Sequence, residues 1–431
     1  MTTSDAHRAI EAVWRIESAK VIAGLTRMTG DVGLAEDLAQ DALVAALERW
    51  PKSGVPDNPG AWLMTTAKHR GIDTFRRGKL VDRKHEELGH ELLARQQSPE
   101  RDLDAAIDDP VGDDRLGLIF TTCHPVLSPE ARVALTLRLL GGLTTDEIAR
   151  AFLVPEATVA QRIVRAKRTL REARVPFEVP RGADLTTRLS SVLDVLYLIF
   201  NEGYSATAGD EWVRPALCED ALRLGRILAE LAPPPGDPEV HGLVALMEIQ
   251  ASRLKARVGP GGEPILLLDQ DRGRWDQLLV RRGLAALERA EQFAGALGPY
   301  ALQAAIAACH ARARTAEETD WTRITALYDA LTQLTQSPIV ELNRAVAYSM
   351  AFGPAAALEI VDALTSEPAL KTYHLLPSVR ADFLAKLGRF EEARVELEQA
   401  ASLTRNTRER DLLLGRARDL GKTPRRSGNN P

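Results

Sequence analysis

Between residues 143 and 171 the chain holds two short apolar patterns separated by a proline. The first predicts a helix that begins with a capping box, because Thr144 followed three residues later by Glu147 satisfies two otherwise free backbone N–H groups. Pro155 has the φ angle that suits the start of a second helix. In that second helix apolar residues recur at steps of three and four, which places them on one buried stripe. The stretch therefore predicts a helix-turn-helix.

The second helix of this pair has one apolar face and one polar, basic face. Its apolar stripe comprises Val159, Ile163, Ala166, Leu170 and Ala173. Its polar face carries Glu156, Thr158, Gln161, Arg162, Arg165 and Arg168. Gln and Arg side chains can form paired hydrogen bonds with base edges, and Arg also pairs with phosphate. The pattern predicts a DNA-recognition helix, and the alternative is an ordinary helical hairpin with a solvated basic face.

Composition places this helix pair within a long, helix-prone and mildly acidic chain. The 431 residues are 45% hydrophobic but only 5% aromatic, and Ala, Leu and Arg are heavily used, which favours helices over sheets. We therefore expect an all-α fold. The net charge is −5, so the chain is not basic overall, and any contact with nucleic acid must rest on local basic patches.

The sequence offers no pattern typical of an enzyme, a metal site or a membrane protein. It has no phosphate-binding glycine loop and no CxxC pair, and His85 and His90 are five residues apart where a zinc-protease helix needs four. We expect no cofactor and no metal. The absence of a signal-peptide core and of an apolar run of about 18 residues predicts a cytoplasmic protein without membrane contact.

A mostly acidic stripe lies on a predicted helix over residues 34–50. The inward face of this helix is predicted to hold Leu34, Leu38, Ala42 and Ala45. The stripe occupies another face at helical spacing. It comprises Asp37, Gln40, Asp41, Val44 and Glu48. It is either a solvated polar face or a docking surface for a basic helix of a partner protein.

A segment rich in proline and glycine, residues 50–60, follows and is expected to form an ordered, non-helical loop. A third helix then starts near Asn58-Pro59 and ends in basic residues. Such a helix beside such a loop could track one DNA strand and hold an unstacked base, or its basic end could simply be favoured by the helix dipole. The candidate contacts are Lys52, Asp57, Asn58, Trp62, Lys68, His69, Asp73, Arg76 and Arg77.

Together these regions resemble the extracytoplasmic-function (ECF) sigma factors of bacterial RNA polymerase. Residues 31–77 are similar to sigma region 2, through the motifs Ala35-Glu36-Asp37, Gln40-Asp41, Ala61-Trp62-Leu63, Asp73 and Arg76-Arg77. The helix-turn-helix is similar to sigma region 4, through Thr158-Val159, Gln161-Arg162 and Arg165-Ala166-Lys167. One departure is Thr66, where an apolar residue is common in the family.

The resemblance implies a transcription initiation factor that is not an enzyme and whose partners are core RNA polymerase and promoter DNA. It implies that the stripe of residues 37–48 binds the β′ clamp of the polymerase, and that the β flap is a second polymerase contact. Candidates within residues 52–77 would then contact the −10 promoter element. Those within residues 156–168 would contact the −35 element.

The order of these patterns predicts five segments. They are region 2 at 6–80, an acidic linker at 81–112, region 4 at 113–175, a helical extension at 183–420 and a disordered tail at 421–431. In the extension, Gly353 and Gly388 occupy the turns of two helix pairs, separated by about one tetratricopeptide (TPR) period of roughly 34 residues. Stacked helix pairs of this kind often bind a protein or a ligand.

With this extension the whole chain resembles the ECF sigma factors that carry a C-terminal TPR-like domain, which implies control of activity in cis. The segments 198–207 and 269–277 are typical of that subgroup. Glu202 ends an apolar helix and is either part of a plain helix end or part of a ligand pocket. The alternative function is a one-component regulator, whose helix-turn-helix binds an operator and whose repeats sense a ligand or protein.

Overall fold

The computed structural model describes residues 3–71, 111–231, 236–293 and 295–422. The chain divides into two compact units, Met1–Val195 and Leu196–Pro431. The boundary falls inside one long helix. The predicted linker and the predicted disordered tail lie almost entirely outside the described residues.

The first unit is built from helices. They are α1 (Thr3–Thr29), α2 (Val32–Ser53), α3 (residues 59–71), α4 (Val111–Thr122), α5 (Pro129–Leu139), α6 (Thr145–Phe152), α7 (Glu156–Glu172) and the first part of α8 (Ala183–Tyr204).

The second unit continues from α8 and is also helical. Its longer helices are α9 (Pro215–Leu231), α10 (Pro238–Ala251), α11 (Gln277–Glu291), α12 (Pro299–Arg312), α13 (Trp321–Thr335), α14 (Pro338–Phe352), α15 (Pro354–Leu364), α16 (Leu375–Lys386), α17 (Phe390–Leu403) and α18 (Thr407–Lys422). Short 3₁₀ turns span Leu254–Ala256, Leu267–Asp269, Arg272–Arg274 and Pro368–Leu370. In the described ranges the only strands are the two-residue pair β1 (Ala208–Gly209) and β2 (Arg405–Asn406), which run parallel. The predicted all-α fold is confirmed.

The junction of α1 and α2 forms where the sequence provides a stop and a cap. Gly30 adopts a φ of 67°, which glycine tolerates, and ends α1. The Asp31 side chain then accepts hydrogen bonds from the backbone N–H groups of Gly33 at 2.7 Å and Leu34 at 3.1 Å. These bonds satisfy two of the N–H groups that the start of α2 leaves free.

The end of α2 differs from the prediction. Residues 50–53 were expected in a loop, but they form the last turn of the helix despite Pro51. Trp50 is buried at 2% exposure and anchors that turn in the core of the first unit. Gly54, with a φ of 84°, closes the helix by donating its N–H to the Trp50 carbonyl at 2.9 Å. The loop is therefore shorter, residues 54–58.

The core of region 4 agrees with the prediction. Apolar residues predicted to support the helix-turn-helix are buried, namely Leu116, Ile119, Phe120, Val133, Leu137 and Leu140. Ser128 caps α5 by accepting from the Ala131 N–H at 3.3 Å, next to Pro129 in the first turn. Four helices, α4 to α7, thus surround one set of buried side chains.

Two helical hairpins near the C-terminus have their turns where glycines were predicted to place them. Gly353 joins α14 to α15 at a φ of 101°, and Gly388 precedes α17 at a φ of 79°. One cluster of buried residues from α14 to α18 includes Leu342, Val361, Phe383, Leu384 and Leu397. Each hairpin therefore buries its apolar side against its neighbours, as helical repeats do.

Among the described residues, no helix combines the length and the apolar character needed to cross a membrane. None of their His, Cys, Asp and Glu side chains form a group of three or more placed to hold a metal ion.

Candidate functional site

The first helix of the helix-turn-helix begins with the predicted capping box. The Thr144 hydroxyl accepts from the Glu147 N–H at 3.1 Å, and the Glu147 carboxylate accepts from the Thr144 N–H at 2.8 Å. Helix α6 ends at Leu153, which adopts the left-handed conformation with a φ of 49°. This residue and Pro155 turn the chain directly into α7.

Helix α7 buries the predicted apolar stripe except at its end. Val159, Ile163, Ala166 and Leu170 are buried. Ala173 was predicted to be buried with them, but it is exposed. The helix ends at Glu172, so Ala173 lies beyond the last full turn and its side chain is not directed at the core.

The candidate DNA contacts of α7 lie together on the outer side of the helix. Glu156, Gln161, Arg165 and Arg168 are exposed, and Thr158 and Arg162 are half-buried. The Arg168 Nε donates to the Glu172 carboxylate at 2.6 Å, one turn further along the same helix. These residues are free of the core contacts made by the opposite face.

The acidic stripe of α2 is also largely accessible. Asp37, Asp41, Val44 and Glu48 are exposed, whereas Gln40 is half-buried. The Gln40 amide donates to the Glu36 carboxylate at 2.7 Å, and an Asp41 oxygen lies 3.5 Å from an Arg70 nitrogen. Four of the five residues therefore present their side chains to solvent.

The candidates in the loop and in α3 are mostly accessible, and one of them, Trp62, belongs to a pair of aromatic rings. Lys52, Asp57, Asn58 and His69 are exposed, and Trp62 and Lys68 are half-buried. The Asn58 side chain caps α3 by accepting from the Ala61 N–H at 3.1 Å. Trp62 packs edge-on against buried Trp50, with 5.3 Å between ring centroids. Asp73, Arg76 and Arg77 lie outside the described residues.

Sequence reasoning did not assign a role to Glu36, although it lies in one of the matching motifs. Glu36 is only 3% exposed, and its carboxylate accepts from Arg138 on α5 at 2.7 Å and from Lys167 on α7. The sequence contains one indication of this role. Glu36 falls on the inward side of α2 beside Ala35 and Ala39, where a buried charge requires a partner.

Opposing effects act on the pKa of Glu36. Burial alone would raise the pKa of this carboxyl, but the charges and hydrogen bonds of Lys167 and Arg138 outweigh burial and hold it below its usual value. Glu36 is therefore ionised at neutral pH. Its charge joins the two cations of α5 and α7 to α2.

Comparison with known proteins identifies the family. A sigma-70 region 2 family matches residues 16–80, and a sigma-70 region 4 family matches residues 118–170. The chain is 30% identical to the ECF RNA polymerase sigma factor SigL of Mycobacterium tuberculosis, over 34% of this chain and 77% of that protein. The chain belongs to the ECF RNA polymerase sigma factors. It is thus a non-enzymatic transcription initiation factor that acts with core RNA polymerase and promoter DNA.

Two further relatives and one further family also match this sigma factor. The probable ECF RNA polymerase sigma factor SigI of Mycobacterium tuberculosis is 28% identical over 40% of the chain and 58% of that protein. An uncharacterized protein of Rhizobium meliloti is 42% identical over 90% of each chain. Residues 188–291 match a family of unknown function (DUF6596). No solved structure gives a significant match.

In this sigma factor, regions 2 and 4 are joined by more than the Glu36 contacts. Arg15 of α1 pairs with Glu147 at 2.9 Å, so the capping carboxylate of α6 also binds region 2. Arg171 of α7 lies 3.9 Å from Asp31, the cap of α2. Lys167 and Arg171 therefore direct α7 toward region 2, while its outer face keeps the candidate −35 contacts exposed.

Proposed function

We propose that this sigma factor binds the β′ clamp of core polymerase through the exposed stripe of α2 and reads the −35 element through α7. The observation that carries the proposal is the division of α7 into two faces. One face buries Val159 and Ile163 against region 4, and the other presents Gln161 and Arg165 to solvent. Apart from the bond of Gln40 to Glu36, the stripe and this outer face take no part in the contacts described between regions 2 and 4.

We propose contact with the −10 element for the loop of residues 54–58, for Lys52 before it and for α3 after it. Lys52, in the last turn of α2, and Asn58, at the end of the loop, are exposed, and Trp62 follows on α3. An aromatic ring next to a short loop suits capture of an unstacked base, and nearby cations suit the DNA backbone. Asp73, Arg76 and Arg77 are included in this proposal on the strength of their motif alone.

We also propose that the TPR-like C-terminal unit controls promoter use in cis, through a protein or ligand that it binds. Two properties support this. Its hairpins α14–α15 and α16–α17 have the turn positions and shared core of helical repeats. The similarity to the Rhizobium meliloti protein extends over 90% of both chains, so the C-terminal unit accompanies the sigma regions in that relative too.

The test is promoter selection from genomic DNA by core polymerase with and without the purified full chain. We expect a set of new transcripts whose start sites share elements near −10 and −35. If the chain instead binds particular DNA sites tightly without polymerase and yields no new transcripts, the proposal fails in favour of a one-component regulator.

A further inference from the structure

Two buried arginines, Arg253 and Arg257, lie close together in the second unit, and neither has a carboxylate partner among the described residues. Arg253 and Arg257 are 6% and 8% exposed and follow α10 in the chain. Burial lowers the pKa of Arg253, and the like charges of Arg257 and Arg272 lower it further. The carboxylate of Glu202, two residues before Tyr204 in the chain, is bound by Arg214. A buried cation cluster of this kind needs compensation.

Aromatic faces supply part of that compensation. The Arg257 guanidinium lies 3.7 Å from the centroid of the Tyr204 ring and 5.5 Å from that of Trp212. Arg253 lies 5.3 Å from the Trp275 ring centroid. Cation–π contacts stabilise a guanidinium over a ring but leave its edges to hydrogen-bond acceptors. Arg253 donates to the side-chain oxygens of Gln270 at 3.2 Å and Gln250 at 2.9 Å, and Arg257 donates from Nη2 to the Tyr204 carbonyl at 3.0 Å. The Nε of Arg257 has no acceptor among the described residues. The segments 198–207 and 269–277, far apart in sequence, thus meet around the same two cations.

The same neighbourhood concentrates hydrogen-bond donors that have no acceptor among the described residues. Arg257 Nε, the Tyr204 hydroxyl and the indole N–H groups of Trp212 and Trp275 are buried and unpaired. An indole and a guanidinium can only donate. Unpaired buried polar groups are few in native proteins, and several donors around two cations match one kind of ligand, an acceptor that carries negative charge.

We infer that Arg253, Arg257 and the donors of Tyr204, Trp212 and Trp275 form a binding site for a small oxyanion, a phosphate or carboxylate group. Oxyanions accept several hydrogen bonds at once and pair with guanidinium groups in a planar, bidentate geometry. The burial of both arginines restricts the ligand to a small molecule or ion. This site is independent of the proposed promoter contacts and lies largely in the segment 188–291 that matches a family of unknown function.

The test uses thermal unfolding and calorimetric titration of the full chain with sodium phosphate, sulfate or malonate, against sodium chloride at equal ionic strength. We expect at least one oxyanion to raise the melting temperature saturably beyond chloride. A phosphate and sulfate response would indicate a phosphate-type ligand, and a malonate response a carboxylate-type ligand. If no oxyanion exceeds chloride, the inference is wrong.

Two substitutions test the location of the site. Tyr204→Phe and Trp212→Phe each remove one unpaired donor and keep an aromatic ring for the arginines. Without anion we expect Tyr204→Phe to melt at the same or a higher temperature, because the lost hydroxyl has no partner in the protein. With anion we expect affinity to fall, on the order of tenfold for one hydrogen bond to a charged acceptor.

Tyr348→Phe, a tyrosine on α14 that packs against Phe352, is the matched control and should leave anion affinity unchanged. Loss of affinity in Tyr204→Phe or in Trp212→Phe supports the site. An anion response that survives both substitutions overturns it, because the ion is then bound elsewhere. This experiment measures anion binding, whereas the promoter contacts are tested by transcription. The oxyanion site and the promoter contacts can therefore fail independently.

Discussion

The Glu36 carboxylate is a buried charge held by half-buried cations on two other helices. Because its pKa in the folded chain lies below the unfolded value of about 4.5, its ionisation stabilises the fold above that pH, and the contribution is lost as the pH falls through the folded value. We predict that Glu36→Gln lowers the free energy of unfolding by roughly 1–3 kcal/mol at neutral pH. It should also reduce the loss of stability on the acid side. Urea denaturation from pH 7 to 3 measures both effects.

Glu172→Gln is the control for this prediction. Glu172 pairs with Arg168 on the surface, where its side chain is 58% exposed, so its removal should cost at most about 0.5 kcal/mol. Equal losses in the two variants would mean that the Glu36 contacts contribute no more than a surface ion pair.

Single substitutions also separate the two proposed surfaces. We predict that Arg165→Ala and Arg162→Ala reduce promoter-directed transcription by about tenfold, the effect of losing one base contact, while polymerase binding is retained. Asp41→Ala should weaken polymerase binding itself. Run-off transcription and co-purification with core polymerase measure the two activities, and Arg281→Ala, an exposed arginine of α11, is the control. Parallel loss of both activities in all variants would indicate misfolding.

At the scale of elements, the stability of α6 depends on the capping box at its start. Thr144→Ala removes the side-chain half of its capping box, and we predict a loss of about 1 kcal/mol in the free energy of unfolding. Thr144→Ser keeps the hydroxyl and should restore most of this stability. Urea denaturation of the full chain is the measurement. If the serine and alanine variants are equally unstable, packing of the threonine methyl group, not the cap, is responsible.

The predicted elements agree with the structure where local chemistry determines them. The capping box of α6, the glycine at the end of α1 and the turns at Gly353 and Gly388 all follow from a few neighbouring residues. The prediction that residues 50–53 lie in a loop was wrong, because burial of the Trp50 ring stabilises a last helical turn despite Pro51. The contacts of Glu36 could not be assigned, since they join residues 102 and more positions apart.

At the scale of the whole molecule, the C-terminal unit is expected to alter promoter use. We predict that a chain ending at residue 204 changes run-off transcription by about fivefold or more, in either direction, while it still binds core polymerase. This truncation keeps the contacts of α8 with region 4, where Arg188 donates to the Phe120 carbonyl at 3.0 Å and Ser191 to that of Cys123 at 2.6 Å. A circular dichroism melt checks that the truncated chain is folded. Transcription equal to that of the full chain would contradict control in cis.

The ion pairs of Glu36 hold α7 against α2 within hydrogen-bonding distance. Promoter elements centred at −35 and −10 are about 25 base pairs apart, roughly 85 Å of B-DNA at about 3.4 Å per base pair. A chain that bridges both elements, as proposed, must therefore separate α7 from α2 and break the contact of Lys167 with Glu36. The free energy of that separation has to come from binding to polymerase, to the promoter, or to both. The affinity of this chain for its partners is then reduced by the free energy of the contacts that must break first.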